Sequence, residues 1–154
     1  MKPAALKNIL VAIDFSEATP EVIATAIMLS DTHSSKFWVV YANDSAPFLL
    51  SSESGDSPGP VNLDPQNTEV EVGLEKIKAQ LSLAHVAAEF VLLDGPAAEN
   101  ILEKAREIDA DLIVIGSQRH GRFYRMLFGD TGDELTRNAP CPVLVVPHKS
   151  EQTV

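Results

Sequence analysis

Five short apolar runs, spread along a chain of 154 residues, limit most strongly the folds that this sequence can adopt. They are residues 9–13 (ILVAI), 37–42 (FWVVYA), 88–93 (AEFVLL), 112–115 (LIVI) and 143–146 (VLVV). Most of these runs are rich in β-branched residues and continuous rather than alternating with polar residues. That pattern is typical of parallel strands that are buried on both faces of a sheet.

The segments between the runs show helical spacing of apolar residues. Pro96 opens the last of these segments, near its predicted first turn. Strand and helix alternate to the end of the chain, which predicts an α/β fold with an open parallel sheet in a single domain, residues 1–154. The three predicted stripes are Val22, Ile23, Ala26, Ile27 and Ser30; Val70, Leu74, Ile77 and Leu81; and Ala98, Ile101, Leu102, Ala105 and Ile108.

One segment, residues 43–66, interrupts the alternation because it is rich in proline, serine and glycine and has no helical period. It predicts a long loop between the second strand and the second helix. Such a loop is either a tolerated insertion or a lid over a binding site. Residues 148–154 predict a frayed tail.

Composition excludes several classes of function. The chain has 22 acidic and 12 basic residues and a net charge of −10, which disfavours binding to nucleic acid or to an anionic membrane. Its single cysteine, Cys141, excludes an internal disulfide, and the four histidines have no metal-ligand spacing, so no metal site built from cysteine or histidine ligands is predicted. No apolar run approaches the ~18 residues that span a membrane. These features predict a cytoplasmic protein.

In an open α/β sheet, ligands bind beyond the carboxyl ends of the strands, where the strand order reverses. The most informative stretch there is 116–135 (GSQRHGRFYRMLFGDTGDEL), which carries three arginines and His120 on a glycine-rich segment. It predicts an anion site; the alternative is a solvated surface loop. The chain has no P-loop, dinucleotide or GxSxG motif and no evident nucleophile–base pair, so a binding protein rather than an enzyme is expected.

Four motifs together resemble the universal stress protein family over residues 8–147. They are VAIDFS near the start, Gly-Pro-Ala at 95–97, DADLIVIGS, and APCPVLVVP near the end. The resemblance implies a five-stranded parallel sheet of order 3-2-1-4-5 with helices on both faces, a Rossmann-like arrangement. It also implies a homodimer formed through the last strand, and a stress-response role in which an adenine nucleotide, AMP or ATP, is sensed.

Members of that family that bind nucleotides carry G-x2-G-x9-G-[ST] after the fourth strand. Gly116 and Gly129 match the first and third glycines, whereas Arg119 and Asp130 replace the second glycine and the hydroxyl residue. The resemblance implies that Asp14 meets the ribose and that the backbone near Tyr41 and Ala42 meets the adenine. The other residues of the predicted site are Ala12, Ser16, Ser117, His120, Gly121 and Thr131.

The two replacements predict a pocket with an altered phosphate end. Arg119 adds a strong phosphate donor. Asp130 repels distal phosphates unless a Mg²⁺ ion bridges them, and it can instead cap the last helix. AMP is therefore easier to accept than ATP.

Two other functions fit parts of the sequence. One is a dimeric stress protein that binds no nucleotide and acts through protein interactions. The other is a phospho-receiver domain, because Asp14, Asp94, Ser117 and Lys149 fall near the positions that such a domain uses. Ile13 occupies the place of its second metal-binding acid, which weakens the receiver interpretation.

Overall fold

The computed structural model describes residues 6–14, 19–30, 34–43, 65–94, 96–116 and 134–147. Most of the predicted loop and the predicted tail 148–154 lie outside these ranges. The described strands are β1 (Asn8–Ile13), β2 (Lys36–Asn43), β3 (Ala87–Asp94), β4 (Leu112–Gly116) and β5 (Val143–Val146). The described helices are α1 (Thr19–Leu29), α2 (Pro65–Leu83), α3 (Ala97–Glu107) and α4 (Glu134–Asn138).

The strands form one parallel sheet of order β3-β2-β1-β4-β5, which confirms the predicted fold and order. All carboxyl ends therefore meet at one edge, which we call the carboxyl edge. The register aligns Ile13 of β1 with Tyr41 of β2, and Gly116 of β4 with Val146 of β5. Continuing the β1–β4 register by one residue places Ile13 beside Gly116.

Side chains alternate between two faces of the sheet, and each face carries its own core. Helices α1 and α2 cover one face and helices α3 and α4 the other, and these are named the α1/α2 face and the α3/α4 face. The α1/α2 core includes Ile9, Val11, Ile13, Val22, Ile23, Ala26, Phe37, Val39, Ile77, Leu81 and Val114. The α3/α4 core includes Leu10, Ala12, Val40, Ala97, Ile101, Leu102, Ala105, Ile113, Ile115 and Leu135.

Burial on both faces holds for the central strands but was wrong for the edge strands. In β1 and β4 nearly every side chain is buried. In β3, by contrast, Leu92 is 61% exposed, and Val143, Leu144 and Val145 of β5 are only half-buried. A continuous apolar run does not distinguish a central strand from an edge strand, because an edge strand has a neighbour on one side only.

Both ends of the predicted loop 43–66 differ from the sequence interpretation. Helix α2 already begins at Pro65, inside the predicted loop, and β2 extends to Asn43. Proline is favoured at the first helical position, where its missing N–H group would have no intrahelical partner. In α3 the buried position of the first turn is Ala97, whereas the predicted stripe contained Ala98, which is half-buried. Pro96 is the N-cap residue of α3, with φ −60° and ψ 123°.

The Asp111 carboxylate fixes the amino end of β1 against β4. Its Oδ2 atom accepts hydrogen bonds from the backbone N–H groups of Lys7 and Asn8, both at 2.9 Å. The Asp111 N–H group in turn donates to the Asn8 carbonyl oxygen at 2.7 Å. These three bonds set the β1–β4 register at the start of both strands, so the opposite ends of the strands are aligned as well.

Trp38, the single tryptophan, lies in the amino-terminal half of β2 on the α3/α4 face. Its Nε1–H group donates to Asn8 Oδ1 at 3.2 Å. The Nζ atoms of Lys36 and Lys104 lie 4.1 and 5.2 Å from its ring centroid, within the range of cation–π attraction. Lys36 also pairs with Glu89 at 3.0 Å, so the indole packs in a cluster shared by β2, β3 and α3.

Two of the turns from a helix into a strand, those after α2 and α3, contain a non-glycine residue in the left-handed region. His85 has φ 57° and follows α2, and Asp109 has φ 53° and follows α3. In the turn after α3, the Ala110 N–H group donates to the Ala105 carbonyl oxygen at 2.9 Å, a bond typical of a Schellman motif. Glycine is the usual residue at this position because it has no Cβ atom to clash.

We therefore expect Asp109→Gly to raise the free energy of unfolding by about 0.5–1 kcal/mol. The substitution removes the steric cost of a Cβ atom in the left-handed region, and part of this gain is offset because glycine makes the unfolded chain more flexible. Asp109→Val should lower it, because a branched side chain tolerates positive φ least. Urea denaturation of the three proteins measures both changes. If the Asp109→Val protein proved as stable as the Asp109→Gly protein, backbone strain would not determine the stability effect of this position.

Candidate ligand-binding site

The strand order reverses between β1 and β4, in the middle of the sheet. The chain leaves β1 through α1, on the α1/α2 face, and reaches β2, whereas it enters β4 from α3 on the opposite face. Helix α1, which follows β1, and helix α4, which follows β4, lie on opposite faces, and we call the position between the carboxyl ends of β1 and β4 the crevice. This is the place where open α/β sheets bind ligands.

Four residues of the predicted site meet at this edge. Tyr41 and Gly116 belong to the last row of the α1/α2 face, on either side of Ile13. Asp14 directly follows β1 and is half-buried, and Ala42 is the next residue of β2. Gly116 is not fully buried and has no side chain, so its backbone is open to a close approach.

Two side chains from the predicted set pack in the cores on the two faces of the sheet. Ala12 is 1% exposed and is paired with Val40 and Ile115, so its side chain lies inside the α3/α4 core. The Tyr41 ring is half-buried and packs against the α1/α2 core, as expected of a sheet residue. The remaining predicted residues lie outside the described ranges and stay predictions: Ser16, Ser117, Arg119, His120, Gly121, Gly129, Asp130 and Thr131.

Sequence reasoning missed one polar residue near the crevice, Thr19 at the start of α1. It is 5% exposed, and its hydroxyl has no hydrogen-bond partner within the described part of the chain. The predicted stripe of α1 began at Val22 and so omitted it. The helical period gives the signal, because positions 19, 22, 23 and 26 lie on one side of a helix.

The sheet order excludes the receiver arrangement. A receiver sheet has the order 2-1-3-4-5, so its third strand lies directly beside its first. Here β2 separates β3 from β1. Asp94 therefore ends a strand at the far edge, paired with Asn43 of β2 rather than next to Asp14.

Among the described residues, no group of three or more His, Cys, Asp or Glu side chains could hold a metal ion. A Mg²⁺ ion near Asp130 stays a prediction. None of the described helices is both long enough and apolar enough to cross a membrane.

Comparison with known proteins agrees with this architecture. The profile of the Universal stress protein family matches residues 5–147. The chain is a member of the universal stress protein family. A universal stress protein of Thermus aquaticus is 32% identical to it over 142 residues, which cover 91% of this chain and 98% of the relative.

Solved structures of the family share the fold. A universal stress protein in complex with cAMP superposes with a TM-score of 0.66 at 18% identity, over 94% of this chain and 98% of that one. The universal stress protein from Archaeoglobus fulgidus in complex with dAMP gives a TM-score of 0.60 at 20% identity, over 90% and 95% of the two chains.

The cysteine of this universal stress protein family member lies away from the crevice, at the entry to β5. Cys141 is partly buried and packs against the α3/α4 core, as a small apolar residue would. Burial raises the pKa of its thiol above the ordinary value of 9.0, and the negative charge of Asp111 raises it further. The thiol is therefore protonated at neutral pH and a poor nucleophile.

We expect iodoacetamide to alkylate Cys141 more slowly in the folded protein than in the same chain unfolded in guanidinium chloride at pH 7.5. Because the folded pKa is raised, the folded-state rate should still increase with pH after the unfolded-state rate has levelled off. Mass spectrometry of quenched samples across a pH series measures both rates. Equal folded and unfolded profiles would contradict this assignment.

Proposed function

We propose that this protein binds an adenine nucleotide in the crevice between the carboxyl ends of β1 and β4, as a sensor or regulator in a stress response. One observation carries the proposal: Asp14, Ala42 and Gly116 come from three adjacent strands and converge on the point where the strand order reverses.

Each of these residues offers a different part of nucleotide recognition. The Asp14 carboxylate can accept hydrogen bonds from ribose hydroxyls. Backbone N–H and C=O groups near Ala42 can pair with the polar edge of an adenine. Gly116 allows a ligand to approach the backbone closely, since it carries no side chain.

The structural neighbours support an adenine ligand with a single phosphate. One of them is a complex with cAMP and another a complex with dAMP, and both share the fold of this chain. Such ligands also suit the altered motif, because the predicted repulsion at Asp130 acts mainly on distal phosphates. We therefore propose AMP-type ligands ahead of ATP, and a binding role rather than an enzymatic one.

A second proposed function is assembly through the β5 edge. In β5, three of the four side chains are only half-buried, and the strand lies at the end of the sheet beside β4. An apolar edge strand is a template for pairing with another chain. We propose that two copies pair through β5 in a symmetric homodimer. Such a dimer is also compatible with the alternative function, in which the protein binds no nucleotide and acts through protein interactions.

For nucleotide binding, we expect AMP at about 100 times its Kd to stabilise the protein by roughly 2.7 kcal/mol, a melting-temperature rise on the order of 5–10 °C for a domain of this size. Asp14→Asn should reduce that rise, because a neutral amide is a weaker acceptor of ribose hydrogen bonds. Thermal shift with adenosine, AMP, ATP and GTP measures the response.

The matched control is Asp109→Asn, which makes the same charge change at the opposite end of the sheet. Asparagine tolerates the left-handed backbone of this position, so the fold should be preserved. Its AMP response should equal that of the parent protein. If no adenine nucleotide raised the melting temperature of the parent protein, nucleotide binding would be contradicted, and assembly through β5 would be the better supported function.

For assembly, sedimentation velocity at micromolar concentration should give a dimer. Leu144→Lys should shift the protein towards monomer, because a charge at a half-buried position of β5 would be desolvated in the pair. Leu92→Lys, the matched change on the other edge strand, should leave the dimer intact. A parent protein that sediments as a monomer at every concentration would be incompatible with the β5 pairing.

A further inference from the structure

The Thr19 hydroxyl is a buried polar group without a visible role. Its residue is 5% exposed, and Oγ1 has no hydrogen-bond partner within the part of the chain that the structure describes. An unsatisfied buried hydroxyl costs on the order of 1–3 kcal/mol relative to a paired one. Such groups are rare in native proteins and often belong to functional sites.

The position of Thr19 in α1 shows where this hydroxyl lies. Thr19 shares the buried stripe of Val22, Ile23 and Ala26, so it faces the sheet. Helix α1 packs against β1, β4 and β5, and it begins five residues after Asp14, at the carboxyl edge. Side chains of a helix tilt towards its amino end, which for α1 is the end at the carboxyl edge.

One sheet position at that end carries no side chain on the same face. Gly116 lies in the last row of the α1/α2 face, between Ile13 and Val146, and contributes no side chain there. Helix α1 contacts β4, so the glycine lies on the face that α1 covers. This is the α1 side of the crevice proposed to hold the nucleotide.

We propose that Thr19 is a ligand-binding residue of this crevice, and that its hydroxyl donates a hydrogen bond to a ribose or phosphate oxygen of the bound nucleotide. The inference rests on the proposed function. The helix terminus itself is not the site: Pro20 has no N–H group, and Glu21 places a carboxylate in the first turn. The hydroxyl is a neutral donor, and no described residue pairs with it, so the ligand would supply its acceptor.

This assignment makes an unusual pair of predictions for Thr19→Val, which keeps the shape of the side chain and removes the hydroxyl. Without ligand, the variant should melt about 2–4 °C higher than the parent, because the unpaired polar group is gone. With ligand, it should bind AMP about tenfold more weakly, the equivalent of ~1.4 kcal/mol. Thr19→Ser should retain the parent affinity.

The matched control is Thr25→Val, the same substitution on the same helix. Thr25 lies six residues after Thr19 on α1, and its hydroxyl already donates to the Glu21 carbonyl oxygen at 2.8 Å. Its loss should leave AMP binding unchanged and should not raise the melting temperature. A general effect of valine on α1 would appear in both variants, whereas a ligand contact would appear at Thr19 alone.

Isothermal titration calorimetry with adenine, adenosine and AMP locates the acceptor atom. Loss of affinity for adenosine and AMP together places it on the ribose, and loss for AMP alone places it on the phosphate. Equal AMP binding by the parent and Thr19→Val, or an equal loss for adenine itself, would overturn the assignment while leaving the proposed function intact. If the parent protein bound none of the three ligands, the proposed function would fail and this inference with it.

Discussion

The backbone pairing of β1 with both β2 and β4 is the constraint on which the rest of the molecule depends. The residues of β1 are buried on both faces of the sheet, so each of its peptide groups must form its hydrogen bonds with a neighbouring strand. The Asp111 carboxylate sets the register at the amino end by holding the N–H groups of Lys7 and Asn8. The alignment of Asp14, Ala42 and Gly116 at the other end follows, because a slip of one residue would move every side chain to the wrong face.

Most of the fold could be predicted from local patterns, and the differences have a common origin. The five apolar runs became five strands, and the strand order matches the one implied by the family resemblance. Burial at the edges could not be predicted in the same way, because apolar runs in β3 and β5 look like those of central strands. The start of α2 at Pro65 was also missed, since proline in a polar segment favours a loop as readily as a helix start.

The candidate site could be predicted only where strand ends define it. Asp14, Ala42 and Gly116 follow from the rule that ligands bind at carboxyl ends, and the family resemblance adds Tyr41. The structure brings these four residues to one edge. Ala12 was also in the predicted set, yet alternation along the strand turns its side chain into the core. Thr19 was overlooked because a hydroxyl on an apolar stripe matches no motif, and it becomes conspicuous only once the described residues are seen to offer it no partner.

The packing around Trp38 has an optical consequence. All tryptophan emission from this chain comes from one indole, and its environment is made by Lys36 of β2, Lys104 of α3 and Asn8 of β1. Trp38 lies three residues before Tyr41 on β2 and on the face opposite α1, remote from the crevice. Its fluorescence therefore reports the docking of α3 onto the sheet, and it provides a readout of folding that is independent of events at the carboxyl edge.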